Sequence, residues 1–347
     1  MNRSGVRPRR VPFVVLVVVA VLVTACAGGS GAPAPATGAP QAKVETQFKL
    51  RGASNLGKDT ADGKAYELFA TCLGEKTNGL IELKHFHAAS LGSDAETLEL
   101  AQTGALDFVV TSLYSSVIPV ATVFDLPFLW NDYAHWLKGI DGPVGKTVKD
   151  AAAGTRIKIL DFHLGGWRDV YTTKKKLETA EDFKGLKLRT QQTPAWVQLF
   201  QALGAVPTPL AFGEVYLALQ QGTLDGAETA LPAMWDVKHY EVSKYVAQTH
   251  HGLSTNAWVI SEQTWNKLPK GAQDAVVECS KTAVTFQRTQ KLADAERIDK
   301  ALQDEKKMVF TKPDPAPFRA AAQQVYAKLV TADAQKALVK QVQDLAK

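Results

Sequence analysis

Enzyme signatures are missing from this chain. It contains no G-x-S-x-G nucleophile elbow, no G-x-x-x-x-G-K-[ST] phosphate loop and no H-E-x-x-H metal helix, so the chemistries those motifs serve have no local support. Cysteine is scarce, with three in 347 residues, and none falls into a zinc-type Cys/His spacing. No internal repeat is visible, which argues against a solenoid or a propeller. An excess of one charge is lacking too, once the N-terminus is set aside. The formal +5 includes four arginines within residues 1–25, a stretch without acids; the remainder carries 36 basic against 35 acidic residues. Such a balance leaves no footprint for nucleic acid.

What is present begins with an address. Arg3, Arg7, Arg9 and Arg10 precede the apolar run Val11–Leu22, and Val23-Thr24-Ala25-Cys26 reads as a lipobox. About 15 apolar residues fall short of the roughly 20 that span a bilayer, so a cleaved export signal is expected over 1–25 rather than a membrane anchor. Acylation of Cys26 would tether the mature chain without making it span. Residues 26–42, rich in Gly, Pro and Ala, read as a flexible tether. Roughly 300 residues then remain, more than one core usually holds, and two lobes are the default. An exported chain allows Cys72 and Cys279 to pair, but two buried free thiols on separate helices are the plainer expectation.

Strand and helix alternate along the chain, which predicts α/β lobes. Phe48–Ala53, Leu80–Phe86, Leu106–Thr111, Arg156–Phe162, Asp169–Thr173 and Leu186–Thr190 read as strands, and Ala65–Thr77 has helical spacing. Ser93 and Gly104 bracket a further helix as N-cap and C-terminal stop. Thr179–Asp182 fits a capping box. From Lys270 to about Met308 the apolar spacing predicts one helix of about 50 Å, long enough to cross two lobes.

The most informative stretch runs from Asp182 to Glu228, DFKGLKLRTQQTPAWVQLFQALGAVPTPLAFGEVYLALQQGTLDGAE. Arg189 stands at the C-terminal end of its strand, where open α/β sheets bind ligands. Its planar fork matches a carboxylate bidentately and stays charged. Asn55, Asp94, Ser112 and Tyr114 fall in loops that follow strands or start helices, the positions from which pockets draw their few polar groups. The pairs His85/His87 and His250/His251 lack carboxylates at metal-ligand spacing.

FKGLKLR and YLALQQGTLDGAE, joined in order by TNGLIEL, LGSDAETLELAQTGALDF and LPFLWNDYAH, closely resemble the DctP-type solute-binding proteins of TRAP (tripartite ATP-independent periplasmic) transporters. The likeness covers about residues 48–330. It implies a two-lobed, type II periplasmic-binding-protein-like α/β fold with a hinge and a long helix crossing both lobes. Lobe I would hold 43–166 plus about 255–280, and lobe II 167–254 plus about 281–347. The expected function is capture of an organic acid and its delivery to the small and large membrane subunits for ion-gradient-driven uptake. No catalysis, cofactor or metal is expected, and the protein would act as a monomer held at the outer face of the membrane by lipid. An exported enzyme acting on a small acid through Asp225 and Glu228, or a ligand-sensing lipoprotein, are the alternatives.

The resemblance also assigns residues. Arg189 matches the family's carboxylate-clamping arginine, and Arg168 in LGGWRDVY a second arginine at the same group. Phe212 aligns with an aromatic lining the cleft, and Trp235 is placed to stack on a ligand ring or simply to pack. Asp225-Gly226-Ala227-Glu228 matches the DG-x-E turn, where Asp225 and Glu228 would support the lobe. The next residue in relatives is commonly an asparagine bonded to the ligand; here it is Thr229, and relatives often place a charge near Ser112. Both departures argue against borrowing a relative's ligand.

Overall fold

The computed structural model describes residues 48–346; the export-signal, lipobox and tether expectations lie outside them. Local signals place the first elements. Strand β1 (Phe48–Ala53) leads to helix α1 (Ala61–Lys76), which starts four residues before its apolar spacing because the Thr60 hydroxyl caps the Gly63 N–H at 2.9 Å. After β2 (Ile81–Phe86) comes α2 (Asp94–Thr103), bounded by a Ser93/Glu96 capping box and by left-handed Gly104. Next follow β3 (Phe108–Thr111), α3 (Tyr133–Ile140), α4 (Pro143–Asp150) and the long strand β4 (Ile157–Thr172).

The second half holds β5 (Lys187–Thr190), α5 (Pro194–Ala202), β6 (Val206–Pro209), α6 (Val215–Gln220), β7 (Gly226–Ala230) and α7 (Leu231–Asp236). A second long strand, β8 (Tyr245–Ser261), precedes α8 (Glu262–Lys267) and the 35-residue helix α9 (Lys270–Asp304). The chain closes with β9 (Val309–Thr311), α10 (Pro315–Leu329) and α11 (Asp333–Asp344). Among the described residues no helix is long and apolar enough to cross a membrane.

The strand order is β2-β1-β3-β8-β4-β7-β5-β6, with β9 beside β8. Each end of the sheet is a parallel set, β2-β1-β3 and β7-β5-β6, while β4 and β8 pair antiparallel between them. This two-stranded ribbon joins the halves of a two-lobed α/β fold. Three apolar clusters fill it: one around Phe162, Trp136 and Phe200, one around Phe69 and Trp258, and one around Met234 and Ile298. Helix α9 packs along α1, β4 and α7, and Arg288 fixes it to β4 by donating to the Phe162 carbonyl from Nε at 3.1 Å.

Three expectations need correction. The segments 156–162 and 169–173 belong to one strand, not two, because Gly165 and Gly166 allow close approach instead of breaking the chain. A Cβ on Gly165 would sit 2.4 Å from Ser254 Cβ, and Gly166 holds φ +109°. The expected DG-x-E turn is a strand from Gly226 onward, since a Cβ at Gly226 would lie 2.5 Å from the Tyr171 carbonyl oxygen across the ladder. Cys72 and Cys279 form a disulfide between α1 and α9 rather than free thiols. The two helices lie side by side, leaving a Cα–Cα distance of 5.7 Å, within bridging range.

Candidate functional site

A cleft of about 820 Å³, the solvent at its mouth included, opens between the two halves of the sheet. The first half contributes Asn55 after β1, Asp94 at the start of α2 and Ser112 after β3; the second contributes Arg189 on β5, Thr229 on β7 and Phe212. Arg168 on β4 lies at its floor beside Ser254. Two other predicted residues stay out. Tyr114 is buried against Phe162 at 5.8 Å between ring centroids. Trp235 packs on Tyr240 at 5.1 Å with the Lys306 ammonium 5.2 Å from its ring. Both aromatics serve packing, the plainer role for a large apolar ring.

The arginines differ in what their donors do. A guanidinium carries five N–H donors. Arg168 directs Nε to Glu228 Oε2 at 2.6 Å, Nη2 to the same carboxylate at 2.5 Å and to the Glu228 carbonyl at 3.4 Å. Its Nη1 reaches Gln191 Oε1 at 3.0 Å and Ser254 Oγ at 2.7 Å. Every donor of Arg168 therefore has a partner inside the protein. Arg189 gives Nε and Nη2 to the Leu210 carbonyl at 2.9 and 2.8 Å, and Nη1 to the Glu228 carbonyl at 3.3 Å. By count, one N–H on each terminal nitrogen of Arg189 is left over. The Phe212 ring lies 5.4 Å from its guanidinium carbon.

Glu228 ties this arrangement together. Its side chain is fully buried and also accepts the Gln191 N–H at 2.8 Å, with His251 Nε2 3.4 Å away. Burial alone would raise its carboxyl, but Arg168, His251 and Arg189 bring it down to about 2. It is a buried counter-ion rather than a turn residue. Across the cavity, Asp94 accepts from Ser112 Oγ at 2.8 Å and Ser112 N at 3.3 Å; burial raises its carboxyl against those bonds.

Further lining residues escape the sequence patterns: Gln191, Ser254, Asn256, His163, Asp62 and Lys291. Lys291 on α9 meets Asp62 on α1 at 2.5 Å, both nearly inaccessible. Gln287 Nε2 adds a bond to Asp62 at 3.0 Å. Burial depresses His163 to about 4 against the pull of Asp62, leaving the ring neutral. The polar triplet Ser254-Thr255-Asn256 just ahead of the apolar run Ala257–Ile260 was the one available signal. Charged residues isolated on amphipathic helices gave none.

This is a cleft between two lobes with a buried guanidinium on its wall, the makings of a small-anion binding protein. The family model for "Bacterial extracellular solute-binding protein, family 7", DctP, matches residues 52–333. The 2,3-diketo-L-gulonate-binding periplasmic protein YiaO of Escherichia coli is 32% identical over 256 residues, 73% of this chain and 78% of the relative. The sialic acid-binding periplasmic protein SiaP of Vibrio cholerae is 31% identical over 294 residues, 84% and 90% respectively. The crystal structure of a TRAP periplasmic solute-binding protein from Chromohalobacter salexigens with bound D-glucuronate superposes with TM-score 0.82 at 30% identity, covering 85% of this chain and 99% of that one. A Xanthobacter autotrophicus counterpart with bound β-D-galacturonate gives 0.80 at 32% identity, over 85% and 99%. The chain belongs to the DctP family, the extracytoplasmic solute-binding components of TRAP transporters.

Proposed function

We propose that this protein captures a sugar acid or a similar organic acid by its carboxylate at Arg189 and hands it to the small and large TRAP membrane subunits. One observation carries the assignment. Arg189 has one N–H on each terminal nitrogen left for an incoming carboxylate, while every nitrogen of Arg168 is engaged and the residue acts by pinning Glu228 and Gln191. Arg168 is thus a positioning residue and a source of positive potential, not the second jaw of a clamp. Phe212 and Thr229 border the carboxylate, and Asn55, Asp94 and Ser112 meet the solute from the other lobe. The acids named with the relatives, glucuronate, galacturonate and diketogulonate, set the first class to test.

Capture requires the lobes to close on the solute. The proposed boundaries, 43–166 and 167–254 with returns near 255–280 and 281–347, are supported by the register shifts of β4 at Leu164/Gly166 and Arg168/Val170. The protein would work as a monomer, tethered through acylated Cys26 by residues 26–42. Calorimetric titration of wild type and Arg189→Lys with D-galacturonate and D-glucuronate tests the clamp. Lysine keeps the charge but loses the fork, and loss of a buried, hydrogen-bonded charge contact is worth about 2–5 kcal/mol. Affinity should fall by about 30-fold or more. Unchanged affinity in Arg189→Lys would refute the clamp.

A further inference from the structure

We propose that Asn256 and the Asp62–Lys291 pair form a second recognition point, which reads hydroxyl groups on the part of the solute farthest from its carboxylate. The proposal rests on Arg189 holding the carboxylate. It selects polyhydroxylated acids of roughly five or six carbons over short acids and over acids with an apolar tail.

Position is the first support. Ser254 Oγ touches Arg168 Nη1 at 2.7 Å on the cavity floor. Asn256 is two residues along β8, on the same face, and a strand advances about 7 Å over two residues. A carboxylate seated at Arg189, in the same cavity as Arg168 and Ser254, therefore leaves Asn256 to the distal half of a six-carbon chain rather than to a three-carbon one.

Bonding is the second. Trp258 Nε1 can only donate, and it lies 3.0 Å from His163 Nδ1. The proton of the neutral ring consequently sits on Nε2. The Asn256 amide nitrogen stands 2.9 Å from that nitrogen, donor against donor; we therefore assign the amide the other way round, with its oxygen on the ring and its NH2 turned away from it. Lys291 carries three donors, of which Asp62 takes one at 2.5 Å. The wall thus offers amide and ammonium donors beside a carboxylate, all but the amide deeply buried. A hydroxyl, both donor and acceptor, fits that pair. An apolar tail would leave the donors unmatched, the situation in which buried polar sites reject analogues most strongly. A second carboxylate would meet Asp62 together with Lys291 and gain no net attraction.

The test is the ratio of affinities for D-galactonate and D-glycerate, measured by calorimetry on the full mature chain. Wild type should prefer the six-carbon acid by at least about 100-fold. Asn256→Ala should cut the ratio by about tenfold, and the double variant Asp62→Asn/Lys291→Met, which removes both charges of the pair together, should cut it as far. A ratio unchanged within twofold in both variants overturns the inference. So does a wild type that binds glycerate as tightly as galactonate, or that binds no five- or six-carbon sugar acid. Failure of the carboxylate assignment shows separately, as an Arg189→Lys variant that keeps its affinity for both acids.

Discussion

Glu228→Gln is the substitution that most directly tests how the cavity floor is held together. The carboxylate accepts two Arg168 donors at 2.6 and 2.5 Å and the Gln191 N–H at 2.8 Å, at zero exposure. Glutamine keeps one oxygen for Gln191 but turns an NH2 group toward a guanidinium, donor against donor. Removing one partner of a buried ion pair costs about 3–5 kcal/mol. The downward displacement of this carboxyl by the same neighbours gives a second figure. Its carboxyl stands near 2 in the folded protein against 4.5 for an unperturbed glutamate, which corresponds to about 3 kcal/mol. As pH falls below 4.5 the unfolded chain takes up the proton first, so this stability is complete above 4.5 and is lost on the way down to about 2. Glu228→Gln should therefore be about 3 kcal/mol less stable at pH 7, melting roughly 6–12 °C lower for a domain of this size. The gap to wild type should close as pH drops from 5 toward 3. Denaturant unfolding of both proteins across that range, read as a difference so that other carboxylates cancel, measures it. A gap under about 1 kcal/mol at pH 7, or one that does not shrink with acid, would refute the account of Glu228 as the counter-ion of Arg168.

Two further outcomes follow from the same geometry. The Cys72–Cys279 bridge ties α1 to α9 across a sequence separation of 207 residues, so Cys72→Ser/Cys279→Ser should lose about 2–4 kcal/mol in denaturant unfolding; equal stability with and without reductant would show the bridge to be dispensable. Phe212 faces the Arg189 guanidinium at 5.4 Å, and Phe212→Leu should weaken sugar-acid binding by about three- to thirtyfold, the range of one cation–π contact. Trp235→Leu, with its ring on Tyr240 outside the cavity, should leave affinity within twofold; the reverse ranking in titration would return Trp235 to the site.

Features fixed by neighbours in sequence were legible. The Ser93 cap, the Gly104 stop and the run of α9 depend on local chemistry and apolar period, and they fall where the spacing places them. Arg189 could be singled out because a strand end and a motif coincide there. Features fixed by distant partners were not. Gly165-Gly166 reads as a break until Ser254 is known to press against it. The pairing of Cys72 with Cys279 depends on α1 lying beside α9, which neither helix announces. Lys291 and Asp62 look like solvated charges on helix surfaces, and only the fold shows each to be the other's partner. Trp235 and Tyr114 show the converse, since aromatic residues near a cleft in sequence can turn into the core.

The placement of the two proposed recognition points bears on how closure would be driven. Around Arg168 the ribbon is pinned from both strands: between the pairs Arg168–Gly252 and Val170–Ala247, β8 carries four residues against one on β4. That excursion sends His251 inward to Glu228 at 3.4 Å, while His250 N and Nδ1 both reach Asp169 Oδ1, at 2.9 and 2.8 Å. The cluster of Arg168, Glu228, His251 and Asp169 is therefore stiff, and Arg189 is bonded to its Glu228 carbonyl. His163 and Asn256 belong to the ribbon on the other side of Gly165-Gly166, two residues without side chains at a register shift of their own. Rotation there would move the hydroxyl point relative to the carboxylate point. A ligand shifts such an equilibrium only by its difference in affinity for the two states. An acid that touches Arg189 alone gains the same contact open or closed, whereas one that also reaches Asn256 gains contacts only on closure. Length and hydroxylation of the solute would then decide which acids close the protein and which merely occupy it.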